Sequence, residues 1–436
     1  MSILFKNVDV VTLDGNYTII KNGFVGIYRK KINYVGEIEP DKKYSRVIDG
    51  AGKVVMPGLV NAHTHSAMTL LRGFADDMNL QYWLTDKVWP VEGRMTEDDV
   101  YWGSALAIIE MIKSGTIAFA DMYFYSHQMA KIAETAGVYA NIGATVMGND
   151  DNCGKNNFYF NRAKMLHDAF NGTSDGKIKI EIAPHAVYTC SENYLCATAE
   201  LAEKLNVNIH THLSETLKEN EDCQELYDVS PTELMEQVGI FHRKTNAAHG
   251  VWLSDNDMEI LAKYNVSVSH NPVSNLKLAS GIAEVEKLKQ FGVNVSIGTD
   301  GTASNNNLDM FEEIKLAAIL QKGLTLDPEI FPAIEVLEMA VTNGYNALGI
   351  ENSGSVEVGK YADIILVDFD KPHLTPNFNT VSNLVYSANG ADVDTVMVRG
   401  KILMENRELK TLDEEKILAN FRKKAYNLLD KNKCRS

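Results

Sequence analysis

No apolar run in the 436 residues is long enough to cross a bilayer, which argues against a membrane-spanning helix. Cysteine is scarce: the five, at positions 153, 190, 196, 223 and 434, form no C-x-x-C pair, and their odd number fits reduced thiols better than a disulfide framework. Basic residues are in deficit, 42 Lys and Arg against 58 Asp and Glu, for a formal charge of −16, and they are scattered rather than gathered into a stripe. Polynucleotides and anionic membranes are therefore poor partners, which leaves small molecules, with self-association left open. The opening stretch Met1-Ser-Ile-Leu-Phe-Lys6 turns polar too soon for a secretory leader, so a soluble cytoplasmic protein is expected. Low-complexity tracts are missing too, and 45% hydrophobic with 23% charged residues fits a chain folded throughout.

What is present divides by texture. Both ends carry short alternating strands bounded by Gly and Asp, from Ile3 to Asp49 and again from Ala362 to Leu403. Between them, strand-like runs alternate with helical stretches, as in a parallel sheet with covering helices. Candidate strands reach His65, Met122, Met147, His185, His212, Val251, Asn271 and Asp300. Eight such units predict a (β/α)₈ barrel of the TIM type, here over residues 58–351. Residues 1–57 and 352–436 are expected to form a small β-sandwich, followed by a C-terminal helix. One helix shows the alternation: Thr96 as N-cap with Asp99 three residues on, a stripe of Val100, Ala105, Ile108 and Ile112, and Gly115 at the end.

The histidines fall where such a barrel places its chemistry. His63 and His65 close the first strand, His185 the fourth, His210 and His212 the fifth, His249 the sixth, His270 the seventh and Asp300 the eighth. The C-terminal strand ends of a barrel form one face, so these distant residues converge on a single pocket. Side chains alternate along a strand, and each H-x-H therefore puts two imidazoles on one side, where they can share an ion. Imidazoles with one carboxylate suit Zn²⁺ or Fe²⁺.

The segments Pro57-Gly-Leu-Val-Asn-Ala-His63-Thr-His65, His210-Thr-His212-Leu-Ser-Glu215, Ser269-His-Asn-Pro-Val-Ser274-Asn-Leu-Lys277-Leu and Gly298-Thr-Asp300-Gly-Thr-Ala-Ser304 carry a resemblance. The chain resembles the cytosine/adenosine-type deaminases of the amidohydrolase superfamily, and among them the 5-methylthioadenosine/S-adenosylhomocysteine deaminases. That likeness runs end to end, including the tail Gly354-Ser-Val-Glu-Val-Gly-Lys-Tyr-Ala-Asp363. The resemblance implies that His63, His65, His212 and Asp300 hold one divalent metal ion, usually zinc, and that the substrate is an adenosine-like nucleoside. It further implies that His249 hydrogen-bonds the attacking water or developing oxygen, that Glu215 shuttles protons, and that His185 and Glu92 contact substrate. Two-metal members carry a lysine at the end of the fourth strand; residues 180–187 contain none, so a mononuclear site is expected.

A cation with an open position lowers the pKa of its water toward ~7. Asp300 can then take the water's proton, while Glu215 protonates the ring nitrogen and later the departing ammonia. Spacing alone reads Glu92 as a surface acid. Its setting, Trp83-Leu-x-x-x-Val88-x-Pro90-x-Glu92, resembles the family's ribose-binding loop, with Trp83 and Trp89 as pocket wall or core. His210 and His270 are read as supporting groups, Asp121 as a brace, and His127, His167, His242 and His373 as surface residues. Cys190 with His185 would make a nucleophilic pair, but that leaves both H-x-H pairs unexplained. The other zinc-deaminase type needs H-x-E and P-C-x-x-C, which are absent. A related hydrolase of guanine, another amino-heterocycle or a halogenated triazine would use the same core, and a non-catalytic scaffold would have let the ligand set decay.

In the resembling deaminases, arginines after the third strand hold the carboxylate of S-adenosylhomocysteine. Here residues 146–160 contain no arginine, but do contain Asp150, Asp151 and Lys155, with Arg162 just beyond. Weakened recognition of that carboxylate is expected.

Overall fold

The computed structural model describes residues 2–148 and 157–430. Five strands open the chain: β1 (Ser2–Val11), β2 (Ile19–Tyr28), β3 (Lys31–Gly36), β4 (Arg46–Asp49) and β5 (Lys53–Pro57). The barrel strands follow as β6 (Leu59–Thr64), β7 (Thr116–Tyr123), β8 (Tyr139–Val146), β9 (Ile178–Pro184), β10 (Ile209–Leu213), β11 (Thr245–His249), β12 (Ser267–His270) and β13 (Asn294–Ile297). They pair in sequence order, each parallel to the next, to give the eight-stranded sheet read from the sequence.

Closure occurs between the last and first strands. The Asp300 N–H donates to the His63 carbonyl (3.0 Å), and the side chain of Asn61 pairs with Thr299, accepting its N–H (3.0 Å) and donating to its hydroxyl (2.7 Å). Gly298 permits this approach, because a Cβ there would lie 2.7 Å from the His63 nitrogen. A bulkier residue would hold the seam apart.

Both ends of the chain meet in a second, mixed sheet. β14 (Ile364–Asp368), β15 (Val393–Val398), β16 (Lys401–Glu405) and β17 (Glu408–Leu409) extend it through β14, which pairs antiparallel with β5. The order is β17-β16-β15-β14-β5-β1-β2-β3, with β4 beside β1. The run from Thr395 to Leu403 that looks continuous in sequence is divided by Arg399 and Gly400, both at positive φ, into the hairpin β15–β16. Only Gly58 separates β5 from β6, so the chain enters the barrel straight from the mixed sheet.

The helix expected after Thr96 spans Glu97–Lys113, and its capping box is complete: Asp99 accepts the Thr96 N–H (2.8 Å) and Thr96 accepts the Asp99 N–H (3.3 Å). Val100, Ala105, Ile108 and Ile112 form its buried stripe. Among the described residues no helix is long and apolar enough to cross a membrane.

Candidate active site

The strand ends do converge. Nε2 of His63 and of His65 lie 3.3 and 3.2 Å from Asp300 Oδ1, and His212 Nε2 lies 3.3 Å from His65 Nε2. A tetrahedral ion with ligands at roughly 2.1 Å sets those ligands about 3.4 Å apart, close to each of these three distances. The atoms of His63, His65 and His212 lie within 4.8 Å of one another, and so do those of His63, His249 and Asp300.

Tautomers follow from the partners of the opposite ring nitrogens. His65 Nδ1–H donates to the Met122 carbonyl (2.5 Å) and His212 Nδ1–H to the His185 carbonyl (2.8 Å); a carbonyl only accepts, so each Nδ1 carries a proton and Nε2 is the nitrogen left to face the centre. His63 Nδ1 lies 2.9 Å from His210 Nε2, while His63 Nε2 is buried without a hydrogen-bond partner. Three imidazoles braced at Nδ1 and open at Nε2 are what a metal centre requires. Burial drives His63 down to about 4, which keeps its ring neutral. Desolvation would raise Asp300, but the His63 and His65 rings beside its Oδ1 outweigh it and hold the carboxyl well below its usual range. Its outer oxygen, Oδ2, accepts hydroxyls from Ser274 (2.6 Å) and Ser304 (2.9 Å). Neither serine has a sequence pattern that announces this task.

Backbone strain gathers here. Asp300 (φ 59°), His249 (φ 78°) and Ser214 (φ 49°) are all left-handed without being glycine. His249 Nδ1–H donates to Asn275 Oδ1 (2.8 Å), which turns its Nε2 toward Glu215 Oε2 at 3.8 Å. Ser280 donates to the other Glu215 oxygen (3.2 Å). Burial pushes Glu215 above the ordinary carboxylate range, opposed by His249, which suits a group that must hold and release a proton.

The pocket beside these groups is lined by Trp83, Trp89, Glu92, His185 and Tyr188, among others. Trp83 begins a π-helical turn, Trp83–Val88, and the following turn, Trp89–Glu92, presents Glu92 inward, where Tyr123 donates to it (2.6 Å). Burial raises Glu92, with the Tyr123 bond pulling the other way. Burial also lowers His185 to about 3; its Nδ1 meets the Thr189 hydroxyl at 3.0 Å. Tyr188 went unnoticed in the sequence, although it stands three residues past His185.

The remaining candidates fall outside the pocket. Asp121 accepts the Ser66 N–H (2.7 Å), a brace. His270 is buried with neither ring nitrogen bonded among the described residues, and Cys190 is buried against the Val146 carbonyl. Arg162 lies over the rings of Tyr125 and Phe158, 5.4 and 5.2 Å from their centres. Asp150, Asp151 and Lys155 lie outside the described residues.

This barrel with its histidine–carboxylate centre is that of a metal-dependent hydrolase. Residues 54–403 match the model of the amidohydrolase family, and the chain belongs to that family. It is 48% identical over 432 residues to the 5-methylthioadenosine/S-adenosylhomocysteine deaminase of Dictyoglomus thermophilum, covering 99% of this chain and 100% of that one. It is also 48% identical over 429 residues to the 5'-deoxyadenosine deaminase of Methanosarcina acetivorans, covering 98% of each. Among solved structures, an adenosine deaminase from Xanthomonas campestris with bound zinc superposes with a TM-score of 0.92 at 34% identity, covering 98% of both chains.

Proposed function

We propose that the chain is a cytoplasmic, mononuclear deaminase that hydrolyses the exocyclic amine of adenosine-like nucleosides, with zinc the first choice of metal and iron(II) the second. The supporting observation is one pocket that holds the imidazole–carboxylate cluster, the Glu215–His249 pair and Glu92 together. We assign residues 58–351 to the barrel and residues 1–57 with 352–436 to the second unit.

In this reading His63, His65, His212 and Asp300 hold the ion. A divalent cation there supplies Lewis acidity that makes water a nucleophile near neutral pH. Asp300, fixed by two serines at Oδ2, accepts a proton from that water at Oδ1. The water oxygen bonds to the ring carbon bearing the amine, and Glu215 delivers a proton to the adjacent ring nitrogen. His249, aimed by Asn275, hydrogen-bonds the water or the developing oxygen through Nε2. Glu215 then carries the proton of the new hydroxyl to the amine nitrogen, the carbon–nitrogen bond breaks with release of ammonia, and Asp300 passes its proton to Glu215, which restores both groups. Glu92 accepts the ribose hydroxyls, Trp83 walls the base, and His185 contacts the substrate from the fourth strand.

Because residues 146–160 lack arginine, adenosine and 5′-methylthioadenosine should have higher kcat/KM than S-adenosylhomocysteine. Arg162, occupied by two aromatic rings, is turned to another use. A side-by-side ultraviolet assay of the three, with adenine and guanine, at matched metal loading, tests this. A clear preference for S-adenosylhomocysteine overturns the loop reading, and activity confined to free bases overturns the role of Glu92.

A further inference from the structure

Asp300 and His249 owe their orientation to two loops that have no covalent reason to keep step. Ser274 and Asn275 belong to the short helix Pro272–Lys277 that follows β12, and Ser304 belongs to the turn that follows Asp300. Beneath both lies Glu313, fully buried on the helix Met310–Thr325. Its Oε2 accepts the N–H of Val273 (3.2 Å) and its Oε1 accepts the amide of Asn305, which also donates to the Thr299 carbonyl (2.7 Å). One carboxylate thus ties the residue before Ser274 to the residue after Ser304.

We infer that Glu313 is a positioning residue for the hydrolytic centre: it locks the 272–277 helix to the 301–306 turn so that two serines hold Asp300 and Asn275 aims His249. A buried acid with two N–H partners and no cation is costly unless its geometry is used. Here both partners come from backbone or amide groups one residue away from the hydroxyls that grip Asp300. Glutamine at this place keeps the volume but offers one acceptor where two are needed, and turns a donor against a donor.

The inference rests on the proposed hydrolytic reading, and its test separates the two. Glu313→Gln, the pair Ser274→Ala/Ser304→Ala, and the triple variant are prepared with Zn²⁺ for kinetics and with Co²⁺ for visible absorption, which reports the ligand field without substrate. Glu313→Gln should lower kcat roughly tenfold with KM changed less than about twofold, since an interaction that matters at the transition state is being loosened. The triple variant should be no more than about twofold worse than the serine pair, because groups acting through one another are not additive. The Co²⁺ spectra of Glu313→Gln and the serine pair should shift in the same sense. Asn305→Ala, which cuts the other end of the same tie, should repeat the pattern at smaller amplitude and serves if Glu313→Gln does not fold. An unchanged spectrum and kcat, or losses that multiply in the triple variant, overturn the inference. Shifted Co²⁺ spectra in a protein that deaminates no nucleoside would sink the proposed function and leave the brace standing.

Discussion

The two ends of the barrel bury carboxylates to similar depth and to opposite effect. At the mouth, Asp300 is 6% exposed; toward the floor, Glu181 on β9 is 2% exposed. Asp300 engages both oxygens, one with His63 and His65 and one with Ser274 and Ser304, and is held low. Glu181 accepts from Asn141 at one oxygen (2.7 Å), and burial carries it up to about 7, with Asn141, Lys179 and Asn208 pulling it back only in part. Lys179, its neighbour, instead donates to the Gly349 carbonyl (2.5 Å) at the end of the helix Thr342–Ala347. Depth does not decide the charge of a buried acid; the donors facing it do. The mouth collects donors and lone pairs for chemistry, while the floor spends its cations on closing a helix.

That contrast breaks most sharply at the ligands. His65→Ala or Asp300→Ala should take bound metal from about one ion per chain toward none, and turnover with it, because the proposed four-ligand centre loses a corner. Elemental analysis of dialysed protein reads the first and ammonia release the second; full metal retention in either variant would move the centre elsewhere. Next in size, Glu215→Gln should lose at least ~10²-fold in turnover while keeping its metal, as expected when a positioned proton carrier is removed. Metal loss as the main defect would make Glu215 a ligand instead.

The floor gives the smallest effect, and it appears in stability. A carboxyl raised in the folded state from 4.5 to about 7 favours folding below pH 4.5, and that favour is lost as pH climbs through the interval to 7. Glu181→Gln abolishes this dependence, so relative to wild type it should gain up to roughly 3 kcal/mol between pH 4 and pH 8, with turnover at neutral pH near wild type. Urea unfolding at the two pH values measures it. An equal pH dependence in both proteins would place the proton on some other group.

The barrel was legible because strand runs and their histidine endings are local patterns, and those endings also placed His65, His212 and Asp300 beside one pocket, whereas Glu92 was placed there only through its family resemblance. Other features depend on partners far away in the chain. Nothing near Ser304 in the sequence reveals a bond to Asp300 that needs Ser274 on another loop, and nothing near Tyr123 points to Glu92, 31 residues earlier. The hairpin at Arg399 and Gly400 was hidden for the opposite reason: apolar runs on both sides made a tight turn look like one strand.

The seam between β13 and β6 sets an order of events. His63 offers its carbonyl to the Asp300 N–H and its ring to the same residue's carboxylate, so the clasp that shuts the cylinder also joins two of the four proposed metal ligands. A nascent chain stalled before residue 300 has the three imidazoles of His63, His65 and His212 without the carboxylate proposed as the fourth ligand. On the proposed ligand set, capture of the ion belongs to the end of assembly, and an open, half-made cylinder lacks the full set that a closed one would bring together.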